Sequence, residues 1–150
     1  MNPLVHMLAG AALGQASPGG PWAFAGGVLS HELLDALPHA EGETFGLRGI
    51  SLLRVDVLEA GAEVLVGAAL LWRLTVACSG ARADLVVLGA FGGLLPDLVD
   101  IPLQAVWGKM ILHVRRLHWT VGRQHAVLGV LAQIVTASVA GALLWIGSCC

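Results

Sequence analysis

Apolar residues gather in five stretches, at roughly 4–16, 21–37, 55–77, 84–107 and 124–147, separated by polar or glycine-bearing segments. A helix needs about 20 predominantly apolar residues to cross a bilayer, and the last three stretches meet that length. The first is short and is expected to cross incompletely or to pack as a half-helix. Ser17-Pro18 followed by Gly19, Gly20 and Pro21 marks a tight turn, so the first two stretches should form a helical hairpin. Residues 39–54 and 108–123 read as polar loops, and 78–83 as a short turn. The expectation is one all-α domain over residues 1–150. It is a polytopic helical membrane protein with about four to five membrane-embedded helices, one of them broken at Pro96.

Composition strengthens this reading. The chain is 57% hydrophobic and only 12% charged, with a mean hydropathy of +0.81. Soluble domains carry about 25% charged residues. The net charge of −2 offers no basic face, so nucleic acid is not an expected partner. No Lys or Arg precedes the first apolar run, as a cleaved signal peptide would need, so that run reads as a retained helix. The three cysteines, Cys78, Cys149 and Cys150, form no C-x-x-C pair. A thiolate metal site or redox motif is therefore not expected, and the terminal pair reads as incidental.

Aromatic and basic residues suggest how the spans are arranged. Trp22, Trp72, Trp107, Trp119 and Trp145 lie at or near segment ends, where amphipathic rings favour the headgroup layer. With the N-terminus inside, Arg48, Arg54, Lys109, Arg115, Arg116 and Arg123 share the inner side, and only Arg73 and Arg82 lie near the outer one. Positive residues prefer the cytoplasm, which suggests a prokaryotic inner membrane with a cytoplasmic N-terminus. Glycine-bearing runs at Gly61/Ala62, Gly67/Ala68 and Gly89/Ala90/Gly92/Gly93 read as surfaces for close helix packing.

Ionisable residues inside spans cost about 2.5–3.5 kcal/mol each on insertion scales, yet this chain carries many. In SHELLDALPH, residues 30–39, His31 and Asp35 stand at i,i+4 on one helical face, and His39 follows Pro38. Such a face can present two metal ligands together, or hold a structural His–Asp hydrogen bond between helices. In GGLLPDLVDIP, residues 92–102, Asp97 and Asp100 follow Pro96. His6 opens the first stretch, while His113, His118 and His125 lead into the last. Asp56, Glu59 and Glu63 share a helical face. Asp56 suits an ion pair with Arg54, Arg115 or Arg116, whereas Glu59 and Glu63 stay open as ligands or a proton relay.

These motifs resemble those of a family of small membrane-bound, metal-dependent hydrolase-like proteins, some bacterial members of which are called LexA-regulated. The resemblance rests on His6-Met7-Leu8-Ala9-Gly10, Ser30-His31 with Asp35, Leu94-Leu95-Pro96-Asp97, and His118 with His125. The family looks distantly like the helical zinc-dependent phospholipases C. The resemblance implies an all-α fold and a divalent metal site that hydrolyses a phosphoester or another lipid-associated bond.

Together these readings name His6, His31, Asp35, Asp97 and His118 as ligands of one or two Zn²⁺-like ions near the inner membrane face. His125 or His39 would protonate the leaving group. Arg115 and Arg116 would attract the anionic head of a phospholipid-like substrate. Two other readings stand beside this one. His31-Glu32-Leu33-Leu34-Asp35 is similar to the H-E-x-x-H motif, with Glu32 as general base of an intramembrane protease. Alternatively, the chain is a non-catalytic scaffold or a metal or proton carrier, since intramembrane acids and histidines also build ion paths.

Overall fold

A computed structural model describes residues 2–40, 52–107, 121 and 125–149 of the chain. Five helices follow one another: α1 Pro3–Ala16, α2 Gly20–Asp35, α3 Leu52–Ala77, α4 Ala83–Trp107 and α5 Ala126–Cys149. Each apolar stretch of the sequence became one helix, and every regular element among the described residues is helical.

The boundaries have local causes. Asn2 accepts from the Val5 N–H and Pro3 opens the first turn of α1, where a missing N–H costs nothing. Ser17 closes the helix by returning its N–H to Gly14 and its hydroxyl to Leu13. Pro21 then fits the first turn of α2, so the expected hairpin forms over Ser17, Pro18 and Gly19.

Short as it is, α1 is the hub of the bundle and packs on all four other helices. It carries no charged residue, and a helix apolar all round belongs in an interior. Met7, Leu8 and Ala11 meet Leu71 of α3, Val86, Ala90 and Leu94 of α4, and Ala140 and Leu144 of α5 in one buried cluster.

α4 lies against both arms of the hairpin through glycines. A Cβ on Gly89 would strike the Gly10 backbone, and one on Gly92 would strike Phe24 of α2. A Cβ on Gly27 would strike the carbonyl of Gly89. Gly67 of α3 packs on Met7, as its small size suggested, while Gly61 has nothing within 4 Å among the described residues.

The expected break at Pro96 does not occur, and α4 runs through it. Proline removes one helical hydrogen bond and crowds the carbonyl four residues back, here that of Gly92. Neighbouring helices can satisfy the backbone groups so released. At this turn α2 lies directly on Gly92, and His31 donates to the Gly93 carbonyl.

At one end the helices are tied together. The Gln15 amide donates to Gly80 in the α3–α4 turn and to Gly147 of α5, and its oxygen accepts from the Arg82 N–H. Arg82 also reaches the Ser17 carbonyl. Cys78 and Cys149 form a disulfide across the same end, which corrects the reading of Cys149 as incidental. Sequence spacing of 71 residues concealed the pair. Helices α1 and α2 span about 21 and 24 Å from this clamped end, against about 36–39 Å for the others. The hairpin therefore stops well short of the opposite end.

Two helices among the described residues are long and apolar enough to cross a membrane, Leu58–Ala77 and Ala126–Cys149. Only 11% and 17% of their apolar windows are buried, so neither is the core helix of a soluble fold. Leu65, Val66 and Leu70 of α3 and Leu131, Ile134, Val135 and Leu143 of α5 are exposed.

The disulfide closes a long loop, so reducing it should lower stability by about 4 kcal/mol in the chain-entropy picture. Thermal melts in mild detergent should show a lower midpoint for Cys78→Ser than for the native chain. A reductant should lower the native midpoint to the same extent and leave that of the variant unchanged.

Candidate metal centre

The inner ends of α1 and α2 meet the middle of α4, and each contributes a ligand-type side chain there. His6 stands in the first turns of α1, His31 and Asp35 occupy the last turns of α2, and Asp97 follows Pro96 on α4. His6, His31 and Asp35 are buried, with 0%, 0% and 2% of their surface exposed, whereas Asp97 keeps 21%. The i,i+4 spacing sets His31 over Asp35, as the sequence indicated.

Asp35 is the centre of the group. His6 Nε2 lies 3.2 Å from Asp35 Oδ1 and His31 Nε2 lies 3.5 Å from Oδ2. His31 Nε2 is also 3.7 Å from Asp97 Oδ1. The two imidazoles stack with centroids 3.9 Å apart and planes 23° from parallel. One donor atom from each of His6, His31 and Asp35 falls within 4.8 Å of the others, so the three could hold a metal ion. No other group of three His, Cys, Asp or Glu among the described residues does so.

Hydrogen bonding sets the state of His31. Its Nδ1 is 2.8 Å from the Gly93 carbonyl oxygen. A carbonyl only accepts, so Nδ1 carries the proton, and in neutral imidazole the lone pair then belongs to Nε2. That nitrogen faces both carboxylates. Metal-bound histidines are held in this way, with the second ring nitrogen donating to a carbonyl or carboxylate. His6 differs, because both its ring nitrogens are buried without a hydrogen-bond partner. Its Nε2 is close to Asp35 but not aligned for a hydrogen bond, and a buried polar atom left in that state is costly.

The spacing suits a shared ion. Ligand atoms at about 2.0–2.2 Å from a tetrahedral Zn²⁺ stand about 3.3–3.6 Å apart. An N–H···O hydrogen bond is about 2.7–3.2 Å. Of the three separations, 3.5 Å falls in the first range, 3.7 Å lies just above it, and 3.2 Å lies at the long edge of the second. Two nitrogens and one or two carboxylate oxygens also form a common zinc donor set.

Four of the five residues expected as ligands thus lie together, and His118 is outside the described residues. His39 is buried just beyond α2, with its ring nitrogen against the Leu37 carbonyl and its own carbonyl accepting from Val121. His125 is exposed at the start of α5. Neither joins the metal-type group. Glu32 is half-buried and Glu59 exposed, and both also stand outside it. His113, Arg115 and Arg116, and the side chains of Asp56 and Asp100, lie outside the described residues.

Sequence reasoning missed Gly93. Its carbonyl orients His31, and its missing Cβ admits the backbone of His6 itself. The signal available was a glycine pair one turn before Pro96, which had been assigned to packing alone. No family model, curated relative or solved structure matches the chain. The resemblance to membrane-bound hydrolases therefore rests on its motifs.

Gly93→Ala should destabilise the protein by about 1–3 kcal/mol, the usual cost of overpacking. It should also lower metal retention, because α1 must shift at His6. Gly61→Ala, which meets open space, should leave metal content unchanged and stability equal or higher. Thermal melts with metal analysis of both variants check this pair.

Proposed function

We propose that the chain is a polytopic membrane metalloenzyme that hydrolyses a phosphoester or another lipid-associated bond. The observation that carries this reading is the convergence of His6, His31 and Asp35 from two helices, with Asp97 from a third. Membrane residence is supported by the exposed apolar faces of α3 and α5. It is also supported by Trp22, Trp72 and Trp145, which are all exposed and all near the clamped end.

In this reading His6, His31 and Asp35 hold the divalent ion, with zinc the best match to the donors. Once bound, the ion supplies a water acidified toward neutrality and polarises the ester or phosphoryl oxygen. The residues of the chain set the remainder. The Gly93 carbonyl keeps the His31 tautomer and ring plane. Asp97, the most exposed member of the group, marks its open side and completes the ligand set. His118 is a further ligand, and His125 or His39 returns a proton to the leaving group. Arg115 and Arg116 attract an anionic lipid head.

The test is elemental mass spectrometry on protein purified in mild detergent, followed by a phospholipid substrate screen. About one or two equivalents of zinc, manganese or iron are expected, with loss of metal in both His31→Ala and Asp97→Ala. Unchanged metal in both variants would overturn the ligand assignment. Bound metal with no hydrolysis but with flux into proteoliposomes would favour the carrier reading. Glu32→Gln should retain hydrolysis, whereas complete loss would favour the protease reading. Acid should release the ion, because imidazole binds metal only when unprotonated.

A further inference from the structure

The clamped end and the metal centre lie at different depths of the bundle, and their chemistry differs in kind. Cys78 follows α3 and Cys149 closes α5, and the disulfide joins them beside the Gln15 contacts. The His6, His31 and Asp35 group lies where α1 and α2 end on the opposite side. Disulfides persist in oxidising compartments and are rare where glutathione and thioredoxin keep thiols reduced.

Basic residues divide along the same axis. Arg73 lies near the end of α3 and Arg82 in the turn after it, both toward the clamped end. Arg54 lies in the first turn of α3, while Arg48, Lys109, Arg115, Arg116 and Arg123 belong to the segments that join helices at the other end. Those two and six account for all eight Lys and Arg residues. The positive-inside preference is set by short loops of this kind. The disulfide and the charge distribution are independent observations, and they select the same side.

Resting on the membrane reading above, we propose that the clamped end, with Cys78–Cys149, faces the oxidising non-cytoplasmic side, and that the His–Asp centre opens toward the cytoplasm. The bond forms by thiol–disulfide exchange. The Cys78 and Cys149 thiols give up two electrons and two protons to the disulfide of an oxidised dithiol carrier of that compartment, which leaves as its dithiol. The ion and the reacting group of the substrate then approach from the cytoplasmic leaflet or the cytosol.

The experiment uses the full chain with Cys150→Ser in a bacterial inner membrane. Free thiols are blocked, the sample is reduced, and a maleimide-polyethylene glycol tag counts newly exposed cysteines on a gel. Two tags are expected, and only after reduction. In spheroplasts, a membrane-impermeant reductant with an impermeant maleimide should tag both without lysis. In the same background, Lys109→Cys should be tagged only after permeabilisation. Tagging of Cys78 and Cys149 without reduction, or only after lysis, would overturn the proposal. So would labelling of Lys109→Cys from outside. A chain that leaves the membrane fraction in alkaline carbonate would instead count against the membrane reading. A C-terminal alkaline phosphatase fusion, active only where its own disulfides form, gives a second readout that needs no cysteine variant, and an inactive fusion would contradict the assignment.

Discussion

Close backbone contact along one face of α4 is the constraint on which the rest of this structure depends. Gly89, Gly92 and Gly93 let α1 and α2 lie directly against the α4 main chain. With larger residues the three helices would separate by the width of a side chain. Helices in lipid gain little from apolar burial against one another, and small residues are how they reach van der Waals contact. The same approach brings His6 and His31 into stacking distance and places the Gly93 carbonyl against the His31 ring. Packing and site geometry are thus one feature here. The residue that opens space for α1 also fixes the tautomer of a candidate ligand.

Much of this was legible in the sequence because it is local. Apolar runs of the right length gave all five helices, and Gly19, Gly20 and Pro21 gave the hairpin. The i,i+4 spacing of His31 and Asp35 gave a shared face. Bringing His6 and Asp97 to that face needed only the order of the helices and the cost of stranding an ionisable group among apolar ones. What was not legible depends on tertiary contact. Cys78 and Cys149 are adjacent only because α3 and α5 end at the same level. Pro96 suggests a break, yet α4 runs through it, with α2 packed on the turn before it.

The unequal helix lengths give the bundle its polarity. All five helices meet at the end tied by Gln15, Arg82 and the disulfide. Since α1 and α2 are short, their free ends fall inside the bundle, level with Asp97. A helix terminus in an interior leaves backbone groups to satisfy. At the start of α1, Asn2 does this. Beyond α2, the Val121 N–H pairs with the His39 carbonyl and the Gln133 amide pairs with the Ala40 carbonyl. The chain leaving α2 is therefore fastened to α5, and Asp35 is held in place from behind. Rigid support of this kind keeps ligands within the tolerance that a metal site needs.

A structural His–Asp network is the simplest rival to a metal centre, and the two make different demands on the geometry. Such a network needs an N–H aimed at a carboxylate oxygen at about 2.7–3.2 Å. The His31 Nδ1 proton is committed to Gly93. The His31 Nε2 atom stands 3.5 Å from Asp35 and 3.7 Å from Asp97, both longer than that range. His6 approaches Asp35 closely but out of line, with both nitrogens unsatisfied. A hydrogen-bonded pair would draw its atoms together along one line. Asp35 presents one oxygen to each ring. Such spacing lets His6, His31 and Asp35 hold an ion, and that is the ground on which the metal reading is proposed.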